Sequence, residues 1–350
     1  MIRAALFDGP GLPFRLQELE SRTEFQHRLH VDLCTLCGSD LHTAFGRRPG
    51  PTPAILGHEI VGTLETPGGL FDAVGAPLSD GTRVILGTSA HCGKCFYCTH
   101  DLPQKCERLF KYGHEAYDPE DGPAGGLATT IVLRLGSVLA RVPESLPDAV
   151  AAPAGCAAAT VFAAWNKVKD AKPETVVVLG LGMLGLTACA VAADAGSQVI
   201  GVDVLPDRRD KARLFGANDC VNPDHLPAML RERTAGRGAD LVLEFSGRAE
   251  ACQSAVASAR IGGTIVFVGA VAPIPPIAIA PEQWIRRCLT LIGVHNYAPR
   301  DLADAVSFLT SAQGRYPFAG LLERVYPLMD VNRAFADANR ESGIRIGVNP

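Results

Sequence analysis

From Thr175 to Ala193 the chain carries no charge and is almost wholly apolar, about the length of a membrane span. Three glycines, Gly180, Gly182 and Gly185, interrupt the run, and β-branched Val176–Val178 precede them. That order predicts a buried strand, a tight glycine turn and a buried helix in place of a span. The alternation of strand and helix then continues. Apolar strand-like segments recur at Gln198–Asp203, Leu241–Gly247 and Thr264–Gly269, separated by helix-like stretches. Such alternation predicts an α/β fold, with a doubly wound parallel sheet covered by helices, over residues 151–292. Residues 1–150 read differently. They hold short β-type runs such as Arg83–Leu86 and Thr129–Leu133, set among glycines and turns, and predict a mostly-β domain. Two helical patterns, around Asp301–Thr310 and Asp330–Asn339, follow in residues 293–350.

Composition narrows the function classes. A chain of 350 residues exceeds what one hydrophobic core carries, in keeping with two domains. With 47% hydrophobic and 20% charged residues and a net charge of −4, it has no electrostatic basis for binding nucleic acid. Neither the N-terminal residues nor the run at 175–193 predicts a membrane partner or an export signal. Eleven cysteines, an odd number, read as reduced thiols in a cytoplasmic protein, with metal binding the first candidate use.

Gly180, Gly182 and Gly185 form a GxGxxG run between the predicted strand and helix. Glycines there permit the turn, bring backbone close to a pyrophosphate, and leave the helix N-terminus to face the phosphates. Asp203 ends the next strand, where a carboxylate accepts hydrogen bonds from the adenosine ribose and repels the extra phosphate of NADP. NAD is the expected cofactor. The competing account is a structural glycine turn with Asp203 as a helix cap.

Cys92, Cys95, Cys98 and Cys106 place four thiols within fifteen residues, the spacing of a closed tetrahedral zinc site that shapes a loop. Cys34 also forms a CxxC with Cys37, which reads as incidental.

At Cys37-Gly38-Ser39-Asp40-Leu41-His42, Gly57-His58-Glu59 and Ala152-Pro153-Ala154-Gly155-Cys156 the chain resembles the zinc-dependent medium-chain dehydrogenase/reductase family, the zinc alcohol dehydrogenases. The resemblance runs through nearly the whole chain. It implies a GroES-like catalytic domain over 1–150, joined by 293–350, and a Rossmann domain over 151–292. It implies two zinc ions per subunit, one catalytic on Cys37, His58 and Cys156 and one structural on the four-cysteine loop. Three protein ligands leave the open position that a catalytic zinc requires. Ser39 would bond the substrate hydroxyl and start a proton relay through the cofactor ribose to His42. Asp40 would orient His58, and Glu59 would assist ligand exchange beside the metal. Thr160 and Leu184 match nicotinamide contacts, Arg208 a basic residue near the adenosine ribose, and Arg345 a pyrophosphate contact. A homodimer or homotetramer is implied.

The stretches CGSDLHT, GHEIVG and PDAVAAPAGCAAATV also resemble the subgroup of phosphonate-catabolism-associated alcohol dehydrogenases. That implies a small-molecule alcohol or carbonyl substrate, with a hydroxyalkylphosphonate as one candidate. Arg47 and Arg48 then become candidates for pairing with an anion; a solvated loop pair is the plainer account. Two other functions stay open: a redox-neutral epimerase or dehydratase that keeps NAD bound, and a non-catalytic NAD-binding or structural protein.

Overall fold

The computed structural model describes residues 1–20, 26–340 and 343–350. The chain divides into two compact units, one of Met1–Ala159, Tyr297–Gln313 and Phe318–Pro350, the other of Thr160–Asn296 and Gly314–Pro317.

In the first unit the described residues build a three-stranded antiparallel sheet around Ile2–Phe7 and a larger sheet. The larger sheet runs Ser137–Arg141, Arg83–Ala90, Glu59–Glu65, Arg28–Thr35, Arg345–Asn349 and Leu322–Pro327. Its strands are rich in Val, Ile and Leu, and Leu29, Val31, Ile60, Leu64, Leu86 and Ile131 form a buried core with almost no exposure. The register fixes which side chains meet. Thr35 stands opposite Glu59, Cys34 opposite Ile60, and the last strand sets Gly347 opposite Thr35. Three of these strands thereby end around the same point.

In the second unit six parallel strands are β1 (Thr175–Leu179), β2 (Gln198–Val202), β3 (Asp219–Val221), β4 (Ala239–Glu244), β5 (Ala259–Phe267) and β6 (Thr290–Gly293). Their spatial order is β3-β2-β1-β4-β5-β6, the doubly wound arrangement of a dinucleotide fold. Val176, Val177 and Val178 are wholly buried, which explains the unbroken apolar run: a parallel strand is covered on both faces. The helix after it, Met183–Asp194, is buried along nearly all its length.

A helical segment from Asp148 to Trp165 is long and apolar enough to cross a membrane, yet 83% of it is buried inside the protein. Its apolarity belongs to the core. A π-helical turn, Ala154–Ala158, interrupts it. Wide turns of this kind often occur where a helix presents a functional group.

Candidate active site

Cys37 closes the strand Arg28–Thr35 and caps the short helix Gly38–Ala44. Asp40, on the first turn of that helix, has no exposure and accepts three hydrogen bonds. They come from the Cys37 amide at 2.9 Å, the Gly57 amide at 3.2 Å and the His58 Nδ1 at 3.0 Å. Gly57 has φ +92°, and a Cβ there would sit 2.6 Å from the Cys34 sulfur; only glycine fits the turn that delivers His58. With Nδ1 bound to a carboxylate, the ring keeps Nε2 for the Cys37 side, and it also hydrogen-bonds that thiol.

Cys156 comes from the π-helical turn. Tyr297 holds this turn in place: its hydroxyl accepts the Thr88 amide at 2.9 Å and donates to the Gly155 carbonyl. One donor atom from each of Cys37, His58, Glu59 and Cys156 lies within 4.8 Å of all the others. Hydrogen bonding from Cys156 holds the Cys37 thiol well below its usual range against the opposing effect of burial, with further help from Arg345 and His58. Cys156 is held well above it by the same bond and by burial. Two thiols and an imidazole nitrogen form a soft donor set that suits zinc.

Glu59 is the fourth member and is already engaged. Its Oε2 accepts from Thr35 Oγ1 at 2.6 Å and Arg345 Nε at 2.8 Å, and its Oε1 from Arg345 Nη2 at 2.9 Å. Burial pushes its carboxyl up to about 7 in spite of the opposing Arg345 charge. Arg345 is 8% exposed, and its Nη1 and Nη2 also reach the Ile344 carbonyl at 2.9 Å and the Cys37 sulfur at 3.7 Å. Its guanidinium thus contacts both Glu59 and the Cys37 sulfur. The strand pairing of Arg345–Asn349 with Arg28–Thr35 causes this placement.

Ser39 Oγ lies 3.4 Å from His58 Nε2. His42 is exposed near the end of the same short helix, and burial, then the charge of Arg47, lower its pKa. The two neighbouring arginines diverge. Arg47 donates to Asn339 Oδ1 at 2.9 Å and lies over the Phe45 ring, while Arg48 Nη2 lies 3.3 Å from His114 Nδ1. The His114 ring packs on His58 with centroids 4.7 Å apart. Burial, then the His58 charge, holds His114 down to about 3, so this ring stays neutral. Lys111 is half-buried; burial and then the charge of Arg48 lower its pKa. His114, Lys111 and Tyr297 carry no motif and had no signal in the sequence.

Cys92, Cys95, Cys98 and Cys106 also bring their sulfurs within 4.8 Å of one another. Cys95 Sγ is 3.5 Å from Cys98 Sγ and 3.8 Å from Cys106 Sγ, too far for a disulfide at about 2.05 Å. The Cys106 sulfur accepts backbone N–H groups of Cys92 and Arg108, both at 3.3 Å. The Lys94 amide draws Cys92 down to about 6, whereas burial and bonding to Cys95 and Cys106 push Cys98 up to about 12. Four thiols so close cannot all ionise without a cation, and a divalent ion resolves that conflict.

In the second unit Gly180 adopts φ +89° and packs on Ser246, and a Cβ on Gly185 would strike the Gly180 carbonyl. Gly182, at the start of helix Met183–Asp194, has open space where its Cβ would be. That gap beside a helix N-terminus fits a phosphate. Asp203 is 7% exposed; its carboxylate accepts the Leu181 amide at 2.8 Å and the Leu205 amide at 2.9 Å. Arg208 Nη1 is 3.8 Å from Asp203, and its buried Nε has no partner, a donor left for a ligand. Leu184 is half-buried and Thr160 buried.

Two family profiles match the chain: "Alcohol dehydrogenase GroES-like domain" over residues 24–144 and "Zinc-binding dehydrogenase" over residues 184–311. An alcohol dehydrogenase of Geobacillus stearothermophilus is 31% identical over 95% of both chains. A 5-exo-hydroxycamphor dehydrogenase of Pseudomonas putida is 30% identical over 87% of this chain and 86% of its own. The structure of an alcohol dehydrogenase from Thermotoga maritima superposes with a TM-score of 0.92 at 25% identity, over 100% of this chain and 99% of that one.

Proposed function

The chain belongs to the zinc-dependent medium-chain dehydrogenase family, and from that premise we propose that Cys37, His58 and Cys156 hold the catalytic zinc of an NAD-linked alcohol dehydrogenase. The observation that carries this reading is the convergence of those donors, from a strand end, a glycine turn and a π-helical turn, within 4.8 Å. The bound groups supply the chemistry: zinc is the Lewis acid that lowers an alcohol's pKa, and NAD is the hydride acceptor.

The protein's residues hold and move the rest. Asp40 keeps the His58 proton on Nδ1, so Nε2 is free to ligate. Ser39 takes the alcohol's proton and His42 returns it to solvent, a task suited to an exposed imidazole. Glu59 is the reserve carboxylate beside the ligands, and Arg345 restrains it through two hydrogen bonds. Gly180, Gly182 and Gly185 cradle the pyrophosphate, Asp203 and Arg208 receive the adenosine ribose, and Thr160 and Leu184 contact the nicotinamide. The Cys92–Cys106 loop holds the structural zinc. A homodimer or homotetramer follows from the resemblance, and eleven free cysteines suit a reducing cytoplasm.

The test is NADH formation followed by absorbance with NAD and a panel of alcohols, polyols and hydroxy acids, comparing wild type with Cys37→Ser. Turnover by wild type alone supports the ligand assignment. Equal turnover by both removes Cys37 from the site.

A further inference from the structure

The His114 ring packs against the His58 imidazole, and it brings with it cationic side chains from two separate loops. Arg48 follows the helix Gly38–Ala44, and Lys111 and His114 follow the four-cysteine loop. A guanidinium only donates, so the contact of Arg48 Nη2 with His114 Nδ1 places the ring proton on Nε2. His114 therefore adds a donor while packed 4.7 Å from His58. Lys111 is half-buried in the same turn as His114, its carbonyl accepting the His114 amide at 3.2 Å. Among the described residues, neither Arg48 nor Lys111 has a carboxylate at ion-pair distance, although Glu115 acts on Lys111 from farther away.

Glu59 offsets Arg345 through paired hydrogen bonds. A zinc ion offsets the Cys37 and Cys156 thiolates. The Asp40 carboxylate is taken by His58 and two backbone amides, so the charges of Arg48 and Lys111, both half-buried, have no carboxylate at ion-pair distance among the described residues. Half-buried cations without a close carboxylate concentrate and orient anions. Arg47 is excluded by its contacts with Asn339 and Phe45.

We propose that Arg48, Lys111 and His114 form a subsite for an oxyanion group on the substrate, so that the enzyme acts on alcohols bearing a carboxylate, phosphate or phosphonate. This inference rests on the dehydrogenase reading of the same site. The hydroxyl and the anionic group would be held by different residues, and the anion would select the substrate without entering the hydride transfer.

The experiment compares four alcohols of matched chain: 1,3-propanediol, 3-hydroxypropanoate, 3-hydroxypropyl phosphate and 3-hydroxypropylphosphonate. For each, kcat/KM is measured with wild type, Arg48→Gln, Lys111→Gln and the charge-conserving Arg48→Lys. Wild type should favour at least one anionic alcohol over the diol, and the ranking of the three separates planar from tetrahedral oxyanions. Each Gln variant should cut that preference by about tenfold or more, as expected for loss of a charge-assisted hydrogen bond. Arg48→Lys should keep part of it. Wild-type turnover of the diol with no preference for any anionic form overturns the subsite and leaves the dehydrogenase reading intact. If none of the four turns over, calorimetric titration of the zinc- and NAD-loaded protein with 3-hydroxypropylphosphonate decides. Binding that Arg48→Gln weakens supports the subsite, and undetectable or unchanged binding overturns it.

Discussion

The Nδ1 nitrogen of His58 lies 3.0 Å from Oδ1 of Asp40, and neither side chain is more than 2% exposed. The same carboxylate takes the backbone amides of Cys37 and Gly57. One buried acid thus ties together two proposed ligands and the glycine turn between strand and histidine. Asp40→Asn keeps the shape but places an amide N–H against one of these donors. Zinc affinity at this site should fall about 10–100-fold, and kcat/KM should fall with it. Zinc retention against a chelator, measured beside turnover, checks this; an unchanged affinity would show that Asp40 does not orient a ligand.

Tyr297 does for Cys156 what Asp40 does for His58, by a different route. Its hydroxyl bridges the Thr88 amide and the Gly155 carbonyl, both beside the site. Tyr297→Phe leaves buried backbone groups unpaired, at a cost of about 1–3 kcal/mol. Urea denaturation should register that loss. Weaker zinc retention in the same variant separates a positioning role from a purely structural one.

The four-cysteine loop has little else to hold it. Phe96, Tyr97 and Leu102 are exposed, and its helix Phe96–Thr99 is one turn long. Cys106→Ser removes a sulfur that two backbone amides also contact. The loop should then become sensitive to protease, and Tm should drop by at least ~5 °C, about 3–4 kcal/mol for a chain of 350 residues. An unchanged Tm would mean that the loop holds its form without metal.

Asp203 stands at the end of β2 with its carboxylate on two loop amides and Arg208 close by. Its charge opposes a ribose phosphate. Asp203→Ala should reduce the preference for NAD over NADP by about tenfold or more. The ratio of the two kcat/KM values measures it, independently of any general loss from the unpaired amides. A ratio equal to that of wild type would assign cofactor choice elsewhere.

Local pattern carries much of this protein, and convergence in space carries the rest. The strand, glycine turn and helix at 175–194 are legible because β-branched residues, glycines and an apolar run follow one another along the chain. The four-cysteine cluster is legible because all its ligands share one loop. Cys37, His58 and Cys156 stand out through their short motifs, yet nothing in their spacing foretells the π-helical turn that presents Cys156, since Ala154–Ala158 reads as ordinary helix. Arg345 lies far from Glu59 in sequence and reaches it only because the final strand pairs with Arg28–Thr35. Arg47 and Arg48 are adjacent and look equivalent, but their side chains contact Asn339 and His114 respectively. His114, Lys111 and Tyr297 sit in no motif, and their roles arise from tertiary contacts alone.

On the proposed reading the protein holds two distinct zinc sites, and only one drives NAD-linked alcohol oxidation. The most direct measurement is zinc content per chain together with NADH formation, in wild type, Cys37→Ser and Cys106→Ser prepared alike. Wild type should hold two zinc ions, matching the two donor clusters, and each variant should lose one. Cys37→Ser should lose turnover, and folded Cys106→Ser should retain it. Full zinc content or wild-type turnover in Cys37→Ser would contradict a catalytic zinc on Cys37.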